Sequence, residues 1–134
     1  MWNGYDSKIA KEICYDCGSR VSKAAYNYFR TALHYSPDKV WAEMLDDKAM
    51  YFATRAKSHV RLIEIAVRTS EQGNGIGKMV LFRLLSRMKA ANIYKLTFRT
   101  PIDEGAWKFW LHVGAQVVDV KGSDYEMQLL IKQT

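Results

Sequence analysis

Apolar residues return at helical spacing from Lys8 to about His34, with Ile9 and Ile13 followed by Val21, Ala25, Tyr28, Phe29, Ala32 and Leu33. Gly18-Ser19 breaks the run, so the pattern predicts two helices, with Ser19 or Ser22 available to cap the second. Tyr35-Ser36-Pro37-Asp38 ends this stretch, because proline lacks a backbone N–H and biases the residue before it towards extended geometry. The β-rich segments Lys39–Leu45 and Ala49–Arg55 flank Asp46-Asp47 and read as an antiparallel hairpin. Beyond a turn at Lys57-Ser58, Val60–Val67 is apolar on both faces towards its C-terminal end, as expected of a central strand covered on each side. Glu64 is its exception.

Met79, Val80, Leu84, Leu85 and Met88 then form an apolar stripe bordered by Lys78, Arg83, Arg87 and Lys89, which predicts an amphipathic helix over Gly75–Ala91 with its stop at Asn92. Tyr94–Arg99 follows as a strand, Pro101 opens a loop, and Gly105–Val113 has the content of a short helix ended by Gly114. Gln116–Val120 and Tyr125–Ile131 are strands joined through Gly122-Ser123-Asp124. A hairpin-rich first half leading into a strand-helix-strand unit points to a mixed α/β (α+β) sheet flanked by helices.

Composition narrows the class. A chain of 134 residues, 49% hydrophobic and 25% charged, suits one domain over residues 1–134. No apolar run approaches the about 20 residues that cross a bilayer, and the first residues lack the regions of a signal peptide, so a cytoplasmic protein is expected. Cys14 and Cys17 lie too far from zinc-finger spacing with His34, His59 and His112 to suggest a metal, and read as reduced structural thiols. The net charge of +6 favours anionic partners such as a phosphate-rich cofactor or nucleic acid. Its cations are dispersed, however, with no block of five or six, and fit a solvated basic surface better.

The segment that carries chemistry is Val67-Arg68-Thr69-Ser70-Glu71-Gln72-Gly73-Asn74-Gly75-Ile76-Gly77-Lys78. Here a strand runs through a glycine-rich turn directly into a helix, so bare backbone N–H groups and the helix dipole can converge on phosphate oxygens. It is not a Walker loop, because Met79 follows Lys78 where Ser or Thr is required. Nor is it the dinucleotide fingerprint, whose third glycine would fall at Lys78.

Gln72, Gly75 and Gly77 fill the Q/R-x-x-G-x-G/A signature of the GNAT superfamily of acyl-CoA-dependent N-acetyltransferases, which the chain resembles. A second segment, Asp103-Glu104-Gly105-Ala106-Trp107-Lys108-Phe109-Trp110-Leu111-His112-Val113-Gly114-Ala115, is similar to the family's N-x-x-A-x-x-F-Y-x-x-x-G-F helix at Ala106, Phe109 and Gly114. The likeness covers Val60–Ile131; the N-terminal part agrees only in the order of elements, with a very short or absent first strand.

The resemblance implies a mostly antiparallel sheet, splayed at the cofactor-binding strand, and acetyl-CoA as cofactor. It implies that Ile65, Ala66 and Val67 bond the pantetheine arm and that Gln72, Gly73, Asn74, Gly75, Ile76, Gly77 and Lys78 hold the pyrophosphate, with Asp103, Ala106 and Phe109 from the second segment. Asp103 stands where the family often has asparagine, and Trp110 where it often has the tyrosine that protonates the leaving thiolate. Indole is no useful proton donor at neutral pH, so Tyr125, Tyr94 or a water must serve. Glu64 is the candidate base, with pairing to Arg61 or another cation as the alternative.

Tyr26, Arg30 and Trp110 are candidates for the acceptor groove, although aromatic residues on short helices are more often core. The acceptor expected is a primary amine of a small molecule or protein. A tRNA or DNA amino group, and a non-catalytic coenzyme A-binding module, are the rival readings; a homodimer is implied only by resemblance.

Overall fold

The computed structural model describes residues 1–18 and 23–132. A three-residue strand, β1 (Trp2–Gly4), leads to α1 (Ser7–Asp16), whose first turn is closed by Asp6: its Oδ1 accepts from the backbone N–H of Lys8 at 2.9 Å and of Ile9 at 3.2 Å. Next come α2 (Lys23–Tyr35), β2 (Val40–Leu45), β3 (Ala49–Arg55) and β4 (Val60–Val67). A single 3-10 turn (Thr69–Glu71) and the glycine loop lead into α3 (Ile76–Ala90), followed by β5 (Lys95–Pro101), α4 (Ala106–His112), β6 (Gln116–Lys121) and β7 (Asp124–Leu130). Ser19 and Ser22, the expected caps of α2, lie outside the described residues.

The strands form one seven-stranded sheet in the order β1-β2-β3-β4-β5-β7-β6, antiparallel except for β4 against β5. That parallel pairing covers only Val60↔Leu96 and Arg61↔Thr97, beyond which the two strands part. The last strand of the sequence, β7, inserts between β5 and β6. Pro101, expected to open a loop, instead ends β5 opposite Asp124. Its β4 side is already unpaired there, so that stretch of β5 is locally an edge, where proline is tolerated.

A bulge explains why β4 changes character halfway along. Phe52 pairs with Glu64 and Ala53 with Leu62, so Ile63 is an extra residue on β4. Val60 and Leu62 join the core beneath α3 and α4; after the bulge Ile65 and Val67 pack on that core, and Ala66 belongs to the core beneath α1 and α2. Full cover of the C-terminal half on both faces, as the sequence suggested, is not what is seen. Ile63 is 44% exposed, and Glu64, Ile65 and Val67 are only half-buried, because their neighbour β5 has diverged.

The same alternation lets β3 join both cores, with Tyr51 and Ala53 facing one and Met50 and Phe52 the other. Phe52 is fully buried, stacks on Phe29 at 4.3 Å between ring centres, and meets Tyr5 and Tyr26 at 5.5 and 6.1 Å. Phe52→Ala is expected to lower unfolding stability by about 3–5 kcal/mol in urea denaturation, through a cavity under α1 and α2. A loss below about 1 kcal/mol would mean the helical layer collapses onto the void.

Candidate active site

The glycine loop is fixed at both ends before its glycines are reached. Gln72 Nε2 donates to the carbonyl of Val67 at 3.1 Å, tying the loop to the last residue of β4. Arg68 bonds the carbonyl of Asp47 and reaches Glu12 at 3.6 Å, while the N–H of Thr69 donates to Asp16 Oδ2 at 2.7 Å. The end of α1 and the β2–β3 turn are thereby anchored to the residues that start the loop.

Gly73 and Gly75 take φ of +86° and +76°, which L side chains rarely adopt. Gly75 immediately precedes α3 as its N-cap and offers no side-chain hydrogen bond to the first N–H groups of that helix. A Cβ built on either glycine meets nothing within 4 Å, so the space in front of the loop is open. Gly77 differs: its φ is ordinary, and an added Cβ would only touch Val67 Cγ2 at 4.0 Å. Open glycines, the first helix N–H groups and the dipole of a 15-residue helix suit the diphosphate of a coenzyme.

The loop opens into a cleft of about 1280 Å³ that passes through the gap between β4 and β5. Ile65, Val67, Gln72, Gly73, Gly75, Ile76, Gly77 and Lys78 line it on the α3 side. Ala106, Phe109 and Trp110 of α4, with Phe98 of β5, form the opposite wall. There Trp110 packs on Phe98 at 4.1 Å and on Phe109 at 5.2 Å, giving a rigid aromatic surface. Trp110 is 8% exposed, belongs to the core beneath α3 and α4, and also lines the cleft.

Glu64 also lines the cleft, and its pairing with Phe52 sets it on the face that carries α1 and α2. Of the partners suggested for Glu64, Arg61 or another cation, Arg61 engages Glu126 of β7: both guanidinium ends meet the carboxylate, with Nη2 at 3.0 Å from Oε1. Arg61 additionally donates to Thr97 Oγ1 at 3.3 Å, and Arg99 Nε reaches Glu126 Oε1 at 3.4 Å. The Arg61 hydrogen bond, outweighing partial burial and aided by Arg99, holds the Glu126 carboxyl below the usual carboxylate range.

Other expected site residues are dispersed. Ala66 is buried beneath α1 and α2, and exposed Asn74 and Asp103 adjoin the cleft without lining it. Tyr26 is 5% exposed within the aromatic core around Phe52, and Arg30 is exposed on α2; neither lines the cleft. Tyr125 is half-buried with its ring edge-on to Trp107 at 5.8 Å, opposite Thr100, which does line the cleft. Tyr94 sits at the far end of β5, with its hydroxyl 3.4 Å from Asn92 Oδ1. Cys17, read as a structural thiol, edges the cleft while Cys14 is buried, and neither is in a disulfide.

Arg99, Thr100, Pro101 and Asp124 line the cleft without having been marked by the sequence. The only available signal was the alternation of Thr97, Arg99 and Pro101 along β5, which has no meaning until its neighbours are known. Among the described residues no group of three His, Cys, Asp or Glu side chains is placed to hold a metal, and no helix is long and apolar enough to cross a membrane.

Solved structures share this architecture. The ribosomal-protein alanine N-acetyltransferase of Escherichia coli superposes with a TM-score of 0.81 at 12% identity, covering 100% of this chain and 95% of that one. The PaiA N-acetyltransferase of Thermoplasma acidophilum, solved with coenzyme A, gives a TM-score of 0.74 at 14% identity, covering 97% and 98%. An aminoglycoside 6'-N-acetyltransferase, also with coenzyme A, gives 0.80 at 12%, covering 100% and 98%. At such identities these likenesses establish the fold. No curated protein matches the sequence significantly. The model of the acetyltransferase (GNAT) family, whose acyl donor is acetyl-CoA, matches residues 18–115, from the end of α1 to the residue before β6. A match of that extent, spanning both the glycine loop and the aromatic helix, makes the chain a member of the GNAT acetyltransferase family.

Proposed function

We propose that this protein moves an acetyl group from acetyl-CoA to a primary amine of a small molecule or protein by direct attack. When bound, acetyl-CoA supplies the acyl group as a thioester. Gly73, Gly75 and the first N–H groups of α3 would hold its pyrophosphate, and Lys78 adds a cation at the same helix end. The backbone of Ile65 and Val67, released from β5 by the splay, would orient the pantetheine arm. Phe109 and Trp110 exclude water from one wall. Glu64 accepts the amine proton, directly or through water, and Tyr125 or water returns one to the leaving thiolate.

One observation carries this reading: a single cleft connects the glycine loop on one side of the splayed strands with Glu64 on the other. A donor and an acceptor can thus approach from opposite faces and meet beside β4, which supplies proximity without a covalent enzyme intermediate. The neighbours of known name support it, since three of them are described as N-acetyltransferases. A cytoplasmic setting is part of the same reading. A homodimer would cover edge strand β6, on which Val117, Val118 and Val120 are exposed.

Mass spectrometry after incubation with acetyl-CoA and libraries of amines, peptides and tRNA tests the reading, with a mass gain on an amine expected. A nucleic-acid acceptor would instead show tight tRNA or DNA binding that falls steeply with salt as counterions are released. Coenzyme A binding with no acylated product in any library would identify a binding module and overturn the transferase reading.

A further inference from the structure

Among the described residues, α1 packs mainly on β3 and β4 and α2 on β2. Beyond β4 the same face of the sheet carries a polar shelf, where the register places Thr97 opposite Gln128 and Arg99 opposite Glu126. Arg61 reaches onto the same face, and Glu64 borders it after the bulge. The shelf therefore adjoins the cleft on the side away from the glycine loop, where an acceptor would lie.

Charge on this shelf is unequal. Glu126 faces two guanidinium groups, and Arg61 already engages it from both of its terminal nitrogens. Arg99 touches the carboxylate only through Nε, at 3.4 Å, and its Nη1 and Nη2 have no hydrogen-bond partner among the described residues. The Arg99 side chain is 51% exposed and lines the cleft. Within the Arg61–Glu126–Arg99 group two guanidinium groups share one carboxylate, and Arg99 presents a planar fork that matches a second; Glu64 and Asp124 are the other carboxylates nearby that line the cleft.

Building on the transferase reading, we propose that Arg99 selects acceptors that carry a carboxylate on the same molecule as the amine. The carboxylate takes the two terminal nitrogens of Arg99, while the amine at the other end of the molecule is directed towards Glu64 and the gap between β4 and β5. Arg99 is accordingly a specificity residue and takes no part in the bond changes.

The test measures kcat/KM for ω-amino acids from glycine to 6-aminohexanoate, each against the n-alkylamine of the same length, with cadaverine as a dicationic comparison. At the chain length that spans the shelf, the carboxylate is expected to raise kcat/KM by about tenfold or more, the scale of a charge-assisted hydrogen bond. Arg99→Gln should bring that ratio close to one, and Arg99→Lys should restore part of it. Calorimetry should show the best ω-amino acid binding the protein–coenzyme A complex, with that affinity lost in Arg99→Gln. Glu126 keeps Arg61 in both variants, so the sheet should retain its stability. Equal or better use of alkylamines at every length, preference for cadaverine, or a ratio that survives Arg99→Gln would overturn the inference while leaving the transferase reading intact. Failure of every amine in this panel would overturn the inference, and the transferase reading falls with it only if the peptide and tRNA libraries also yield no acylated product.

Discussion

Gly75→Val is expected to weaken coenzyme A binding at least about a hundredfold, as read by calorimetry, while the protein remains folded. Two independent effects act at this residue. The backbone φ of +76° is costly for any L side chain and worst for a β-branched one, so the loop must shift the N–H groups that its geometry aligns. The new side chain would also occupy the open space before α3, where nothing now lies within 4 Å, and phosphate oxygens could no longer approach. That same emptiness protects the fold, since no core side chain has to move. Gly77→Ala is the internal control: with an ordinary φ and a nearest neighbour at 4.0 Å, it should keep both its stability and its affinity. Unchanged affinity in a folded Gly75→Val protein would remove the loop as the pyrophosphate site.

The contrast between these glycines also shows what the sequence could and could not convey. Alternating glycines at a strand-to-helix junction are a local feature, and the elements on either side were legible from periodicity: Ala49–Arg55 and Val60–Val67 have the bounds that their patterns predicted. Which glycine carries the strained backbone is set by how the loop is anchored, through Gln72 to Val67 and through Thr69 to Asp16, and those contacts span 5 and 53 residues. The bulge at Ile63 was hidden for a related reason. A run of apolar residues does not reveal that one of them lacks a partner on the neighbouring strand.

The acceptor side was the least legible part. Arg61, Arg99 and Glu126 meet only because β7 inserts between β5 and β6, and a hairpin-like reading of the last two strands does not specify which of them lies next to β5. Tyr26 shows the converse. The family resemblance suggested a place in the acceptor groove, whereas its ring is buried against Phe52 from a distant strand. Residues whose roles depend on their own element could be read early; those that depend on strand order could not.

Glu64→Gln should lower kcat by about a hundredfold or more at neutral pH, the scale of losing a positioned general base, with coenzyme A affinity unchanged. The substitution preserves shape and hydrogen-bonding capacity, so the pairing of this residue with Phe52 and the bulge beside it should persist. What it removes is the ability to accept a proton. The rival explanation is a Glu64 paired with a cation, Arg61 or another; Arg61 is held by Glu126 from both guanidinium ends, so the rival rests on another cation. The pH–rate profile distinguishes a base from a structural carboxylate. With the native residue, kcat should fall on the acidic side as the base becomes protonated; in Glu64→Gln that limb should flatten around a low rate. The deficit should narrow as the pH rises, because an acceptor amine that is already neutral asks less of a base. A variant that retains full rate across the acidic limb would assign Glu64 to structure and leave water as the proton acceptor.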